Sequence, residues 1–187
     1  MNLRLPISDC RFCAILLLIA AATTGCTNNS LRPSSTAPVT QPEAGASAEE
    51  LAAWKEIRAK LGKEGAAADH VYTVTFPRDD LFVSIEGMDV PAAAGISSIF
   101  HFYRCSCGKT VVLGQFVLAD YEANDVVWAL EKQDFVVSSV GPFLSYEKPR
   151  LIAVRFQAEG QPRRLAEALR DALNRTGRNR LSSQSVN

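Results

Sequence analysis

Residues 47–176 are predicted to form one α+β domain: an antiparallel-rich sheet with helices on one face. Three observations predict it. Short segments of period-two alternation recur along the chain, beginning at 71–76. An almost wholly apolar run fills 111–118. From 111 onward the order reads strand, helix, strand, strand, helix, which is the split arrangement of ferredoxin-like folds without its last strand.

The first helix is expected over 48–61. Ser47 and Glu50 have the spacing of a capping box, in which each side chain satisfies the other's backbone N–H. Leu51, Trp54, Ile57 and Leu61 follow at roughly helical spacing, and Gly62 fits the left-handed position after the last turn.

In 71–76, Tyr72, Val74 and Phe76 share one face of a strand, with Thr73 and Thr75 on the other. Pro77-Arg78-Asp79-Asp80 breaks it, and Leu81, Val83 and Ile85 alternate beyond. The two segments can pair as a hairpin of the main sheet. An Ala-rich loop with Pro91 and Gly95 leads to an aromatic strand at 99–103. Cys107-Gly108-Lys109 turns the chain into 111–118, which reads as a central strand buried on both faces. Gly114 within it suggests close backbone approach.

Asp120 can cap a helix over 121–133, with Ala123, Val126, Val127 and Leu130 inward. A strand over 135–140 is expected to stop at Gly141-Pro142. Pro149-Arg150 precedes another strand at 151–156. Gly160 and Pro162 open a last helix with Leu165, Leu169 and Leu173 one turn apart, and Gly177 is expected to end it.

Ahead of the domain, Arg4 and Arg11 precede an apolar run over 12–22, followed by Thr23-Thr24-Gly25-Cys26. A basic start, a short apolar stretch and a small-residue junction make a secretory signal. The run is shorter than the roughly 20 residues a spanning helix needs. The junction resembles the lipobox of bacterial lipoproteins, although Thr23 stands where Leu is usual. The resemblance implies that 1–25 is removed and that Cys26 carries lipid. With no Asp after Cys26, it implies an outer-membrane anchor facing the periplasm. Residues 26–46 hold Pro33, Pro38 and Pro42 among small polar residues and read as a disordered linker. The tail 177–187 reads as disordered and basic.

The chain carries 20 Lys and Arg against 20 Asp and Glu. That balance excludes a typical nucleic-acid binder, which needs a basic excess to engage phosphates. No serine nucleophile with a matching base can be assigned, because the only imidazoles are His70 and His101. No glycine loop has phosphate-cradling spacing.

His101, Cys105 and Cys107 form a His-x3-Cys-x-Cys cluster. Thiolates and an imidazole suit zinc or copper. The same cysteines can instead form a redox-active disulfide in an oxidising compartment, or remain two thiols at a hairpin tip. His70 is expected to face solvent, and His101 to be packed with one nitrogen hydrogen-bonded. Asp79 and Asp80 read as turn residues, Glu122 and Asp125 as complements of a helix dipole. Glu147 and Arg150 read either as a charge pair or as ligand-binding groups. Six Arg lie after Glu159, expected mainly as a solvated basic face.

Several segments together resemble one family. They include Trp54-Lys55-Glu56-Ile57, Tyr72-Thr73-Val74-Thr75-Phe76-Pro77-Arg78-Asp79-Asp80, Leu113-Gly114-Gln115-Phe116-Val117-Leu118, Glu122-Ala123-Asn124 and Glu147-Lys148-Pro149-Arg150. Their order is similar to that of the LppY/LpqO family of bacterial lipoproteins, a domain of unknown function. The resemblance implies a His-Asn-His run where this chain has Gly141-Pro142-Phe143, a further His at Arg155, and Gly-Asp at Gly114-Gln115. If the typical members have a histidine-based site, the resemblance implies that this chain has lost or rebuilt it.

These readings lead to a membrane-anchored envelope lipoprotein with a non-catalytic domain and no cofactor. It is expected to bind a small ligand, an envelope protein or wall polymer through Gly141, Phe143, Glu147, Arg150 and Arg155. The alternative is a metal-binding protein or metal-dependent enzyme using zinc or copper at His101, Cys105 and Cys107.

Overall fold

The computed structural model describes residues 45–177. The signal segment, Cys26, nearly all of the linker and the tail beyond Gly177 lie outside the described residues.

The first helix, α1 (Ala48–Leu61), has the expected ends. Ser47 Oγ accepts the Glu50 N–H at 3.2 Å, and Glu50 Oε2 accepts the Ser47 N–H at 2.7 Å. Gly62 takes the left-handed conformation and its N–H bonds the Arg58 carbonyl. Trp54, Ile57 and Leu61 are buried, but Leu51 is exposed, because α1 presents a narrower stripe than the spacing suggested.

The main sheet is wholly antiparallel. It contains β1 (Ala66–Ala68), β2 (Val71–Pro77), β5 (Ser97–Arg104), β6 (Thr110–Ala119), β7 (Val136–Pro142) and β9 (Leu151–Gly160), in the spatial order β1-β2-β5-β6-β9-β7. The small sheet has the order β4-β3-β8, from β3 (Val83–Ile85), β4 (Met88–Val90) and β8 (Glu147–Lys148). The remaining helices are α2 (Asp120–Glu131) and α3 (Pro162–Leu173). The α+β class with its antiparallel-rich sheet is therefore present.

All three helices contribute to one apolar core with alternate residues of β2, β5, β6 and β9. Phe100 lies at its centre, 4.9 Å from Phe116 and 5.7 Å from Phe156, ring centroid to centroid. Burying each such ring contributes about 1.5–3 kcal/mol. Gly114 makes room for them: a Cβ there would collide with the Phe156 ring and stand 3.0 Å from Phe100.

Several expectations are corrected. The 81–86 segment does not pair with β2, whose two edges are taken by β1 and β5. Instead β3 turns through Glu86-Gly87, both at positive φ, into β4. The strand β1 is a run of three alanines with little intrinsic strand preference. A two-residue turn at Asp69-His70, both at positive φ, holds it against β2.

Strand β6 is buried on both faces only over Phe116, Val117, Leu118 and Ala119, whereas Leu113 is exposed. The N-cap of α2 is Ala119, not Asp120. Strand β6 runs directly into the helix, and Glu122 Oε2 accepts the Ala119 N–H at 2.8 Å in place of a capping side chain. Strand β7 continues through Gly141 and Pro142. It lies at the sheet edge, where the missing N–H of Pro142 breaks no ladder. Helix α3 ends at Leu173, before Gly177, and Thr176 Oγ1 donates to the Leu173 carbonyl.

Candidate ligand-binding face

The helices cover one face of the main sheet. On the other, Val117 and Leu151 pack with Val83 and Ile96, joined by the half-buried Leu81, Val90, Phe143 and Leu144. The small sheet and the segment after β7 thus roof one end of that face. The remainder carries half-buried and exposed residues.

Strand register fixes what this open surface displays. Thr75, Ile99, Gln115, Arg155 and Ser139 form one row across five strands. Thr73, His101, Leu113, Gln157 and Val136 form the next. Arg155 is exposed and its Nε donates to Gln115 Oε1 at 3.2 Å. Ser138 is pushed out by a bulge in β7, and its hydroxyl donates to the Arg155 carbonyl at 3.2 Å. Among the described residues, no further partner bonds the terminal nitrogens of Arg155. A planar guanidinium held at one edge and open at the other is suited to a carboxylate or phosphate.

The five candidate binding residues divide in this frame. Gly141 pairs with Ala153, two residues from Arg155 on β9. Phe143 belongs to the apolar roof, and its N–H bonds the Leu151 carbonyl. Glu147 is buried and its Oε1 accepts the Leu151 N–H at 2.9 Å, so its carboxylate stabilises the turn into β9. It forms no pair with Arg150, which is exposed and whose carbonyl accepts the Asp120 N–H. The structure therefore brings Gly141 and Arg155 together at the open face, adds Gln115, and assigns Glu147 to the scaffold.

His101 stands on the open face, exposed rather than packed, with Nδ1 2.9 Å from Thr73 Oγ1. Cys105 and Cys107 are joined by a disulfide at the β5–β6 turn. The three side chains of the metal reading do not converge, since the two sulfurs are bonded to each other and the imidazole to Thr73. Among the described residues, no group of three His, Cys, Asp or Glu is placed to hold a metal ion. His70 faces solvent and lies 3.1 Å from Glu50 Oε1. The Ser47 N–H, with desolvation opposing it, holds the Glu50 carboxyl below its ordinary range, assisted by the Ser47 hydroxyl and His70.

Sequence reasoning missed a buried ionic network. Arg78 Nη1 and Nη2 reach the two carboxylate oxygens of Glu122 at 2.9 and 3.0 Å. Arg78 Nε and Nη2 reach Asp80, each at 2.9 Å, and Nη1 also donates to the Val117 carbonyl at 2.7 Å. Burial pushes the Arg78 pKa down, but Asp80 and Glu122 more than offset it, leaving it above its ordinary value. Glu122 is thus far more than a helix-dipole charge. Asp80 and Arg78 also line a cavity of about 280 Å³ beside Arg170 and Gly177. With every guanidinium hydrogen of Arg78 engaged, this cluster reads as a brace between elements. Of the C-terminal arginines, Arg163 bonds Glu167, Arg175 bonds Asp171, and Arg170 donates to the Leu61 carbonyl. These three each have an intramolecular partner.

A family model described as Domain of Unknown Function (DUF1259) matches residues 55–175. That span runs from within α1 to just past α3 and includes the whole open face. Neither the curated proteins nor the solved structures contain a match to the chain.

Proposed function

Because the chain belongs to the family described as Domain of Unknown Function (DUF1259), we propose its role from its site: a non-catalytic binding module of the cell envelope. The observation that carries this is the Gln115–Arg155 pair in the middle of the half-roofed sheet face. The ligand is a small molecule or polymer segment bearing a carboxylate or phosphate. Its acid group lies on the Arg155 guanidinium, and its other polar atoms meet Gln115, Ser139 and Thr75 along the row.

The resemblance to the LppY/LpqO lipoproteins adds support. Its expected Asp and His fall on Gln115 and Arg155, which are cross-strand partners. The start of its expected His-Asn-His run falls on Gly141, one strand away. These positions occupy one patch, so the imidazoles and carboxylate that the resemblance implies fall where this chain has hydrogen-bonding groups. An amide and a guanidinium do not exchange protons near neutral pH, which favours binding over general acid–base chemistry.

The same reading places the domain on a tether. Cys26 carries the lipid, residues 27–46 hold the domain off the bilayer, and the outer membrane facing the periplasm is the address. Two experiments test the proposal. Radiolabelled palmitate should enter the chain in bacterial cells and fail to enter Cys26→Ser. A melting-temperature screen of the purified chain against anionic sugars, peptides and phosphates should find ligands that stabilise it. Steady turnover of any such compound would contradict the non-catalytic role.

A further inference from the structure

Cys105 and Cys107 stand at the tip of the β5–β6 hairpin, joined by a disulfide whose Cα atoms are 5.1 Å apart. Cys107 is exposed and Cys105 half-buried, so the bond can be reached from solvent. Only Ser106 separates them. A cross-link stabilises chiefly by closing a long loop in the unfolded chain, and this loop is among the shortest possible. The turn is also fixed without it. Gly108 N–H donates to the Cys105 carbonyl and Cys105 N–H to the Lys109 carbonyl, both at 3.0 Å, and Arg104 pairs with Thr110. Gly108 takes the positive φ that the turn requires. The disulfide therefore adds little that the hairpin lacks.

Charged side chains flank the bond on both sides. Arg104 precedes Cys105, and its Nη2 lies 3.8 Å from where a Cβ on Gly108 would stand. Lys109 follows two residues after Cys107. Both cations are partnered, Arg104 Nη2 by Glu49 at 2.7 Å and Lys109 Nζ by Glu159 at 2.6 Å, so what favours exchange is the exposure of the bond and the smallness of its loop.

We propose that Cys105–Cys107 is a thiol–disulfide exchange site that oxidises an exposed dithiol of a peptide or protein. One thiolate of the donor attacks Sγ of Cys107, the more exposed sulfur. The Cys105–Cys107 bond breaks, and its electron pair leaves on Cys105 sulfur, which takes a proton. The donor's second thiolate then attacks its own sulfur in the mixed disulfide and expels Cys107 as a thiolate. The donor ends as a disulfide and this chain as a dithiol, with two electrons and two protons transferred. This site lies at the end of the sheet and works independently of any ligand at Arg155.

The test incubates the full oxidised chain with a Cys-x-x-Cys peptide at neutral pH, then alkylates free thiols and digests with trypsin. Cleavage after Arg104 and Lys109 isolates residues 105–109, so the other cysteines do not enter this readout. The expected result is two alkyl groups on that fragment, equimolar loss of peptide thiols, and a rate above that of glutathione disulfide at equal concentration. The melting temperature of the reduced chain should stay within a few degrees of the oxidised one. With Cys105 and Cys107 both changed to Ser, peptide oxidation should fall to background. An unalkylated fragment, a rate no faster than glutathione disulfide, a collapse of the melt on reduction, or undiminished oxidation by the double variant would each overturn the proposal.

Discussion

Arg78 and Glu122, 44 positions apart in the chain, meet as a buried bidentate pair with no guanidinium hydrogen left over. The pair ties the end of β2 to the start of α2. Glu122 Oε1 also accepts the Gly177 N–H at 2.6 Å, and Arg78 reaches the Val117 carbonyl. Four parts of the chain converge on one ion pair.

Arg78→Met should destabilise the domain by about 3–5 kcal/mol, because it leaves Glu122 charged and buried beside two backbone donors. Glu122→Gln should cost less, since its amide oxygen can still accept. Urea unfolding of both variants and of the double variant checks this, and the double should be less than additive.

Gly114→Val should destabilise by about 1–3 kcal/mol through overpacking of Phe156 and Phe100. The combination with Phe156→Leu should recover part of the loss. Chemical denaturation of the single and double variants decides it, and a neutral Gly114→Val would remove the packing account.

Much of this was legible in the sequence, and the reasons differ by element. Ser47, Glu50 and Gly62 mark both ends of α1 through local backbone chemistry that later packing does not alter. Gly114 inside an apolar run suggested close backbone approach, whereas two phenyl side chains fill the space at its Cα. The signals failed where the outcome depended on distant partners. Nothing around Leu81 or Val83 says that both edges of β2 are occupied. Glu122 reads as a helix-start acid until Arg78 is placed beside it. The open face was half legible. Arg155 and Gly141 were marked, but Gln115 joins Arg155 only through the β6–β9 register, and that register is set by the whole sheet.

The capping box makes a pH prediction. The Glu50 carboxyl is held below its ordinary value of 4.5, first by the Ser47 N–H. A depressed folded-state pKa contributes stability that is complete above the unfolded value and lost as pH falls through the folded one. Glu50→Gln should therefore be less stable than wild type at pH 7, by about 1 kcal/mol or less, with the gap closing as the solution is acidified below pH 4.5. Urea midpoints measured between pH 7 and pH 3 check the trend, and a gap that widens in acid would contradict it.

The exposed pair between Lys60 and Glu167 supplies a contrast. Lys60, with Arg163, holds the Glu167 carboxyl below its ordinary value. The group lies in solvent, where salt screens it. Glu167→Gln should leave the urea midpoint essentially unchanged at physiological ionic strength, unlike Arg78→Met.

The central claim is that Arg155 on the open sheet face anchors an anionic ligand. Calorimetric titration of the best ligand from the melting screen into wild type, Arg155→Ala and Gln115→Ala tests it most directly. The account predicts at least about tenfold weaker binding for Arg155→Ala, a smaller loss for Gln115→Ala, and melting temperatures within a few degrees of wild type. Unchanged affinity in Arg155→Ala, with the fold intact, would contradict it.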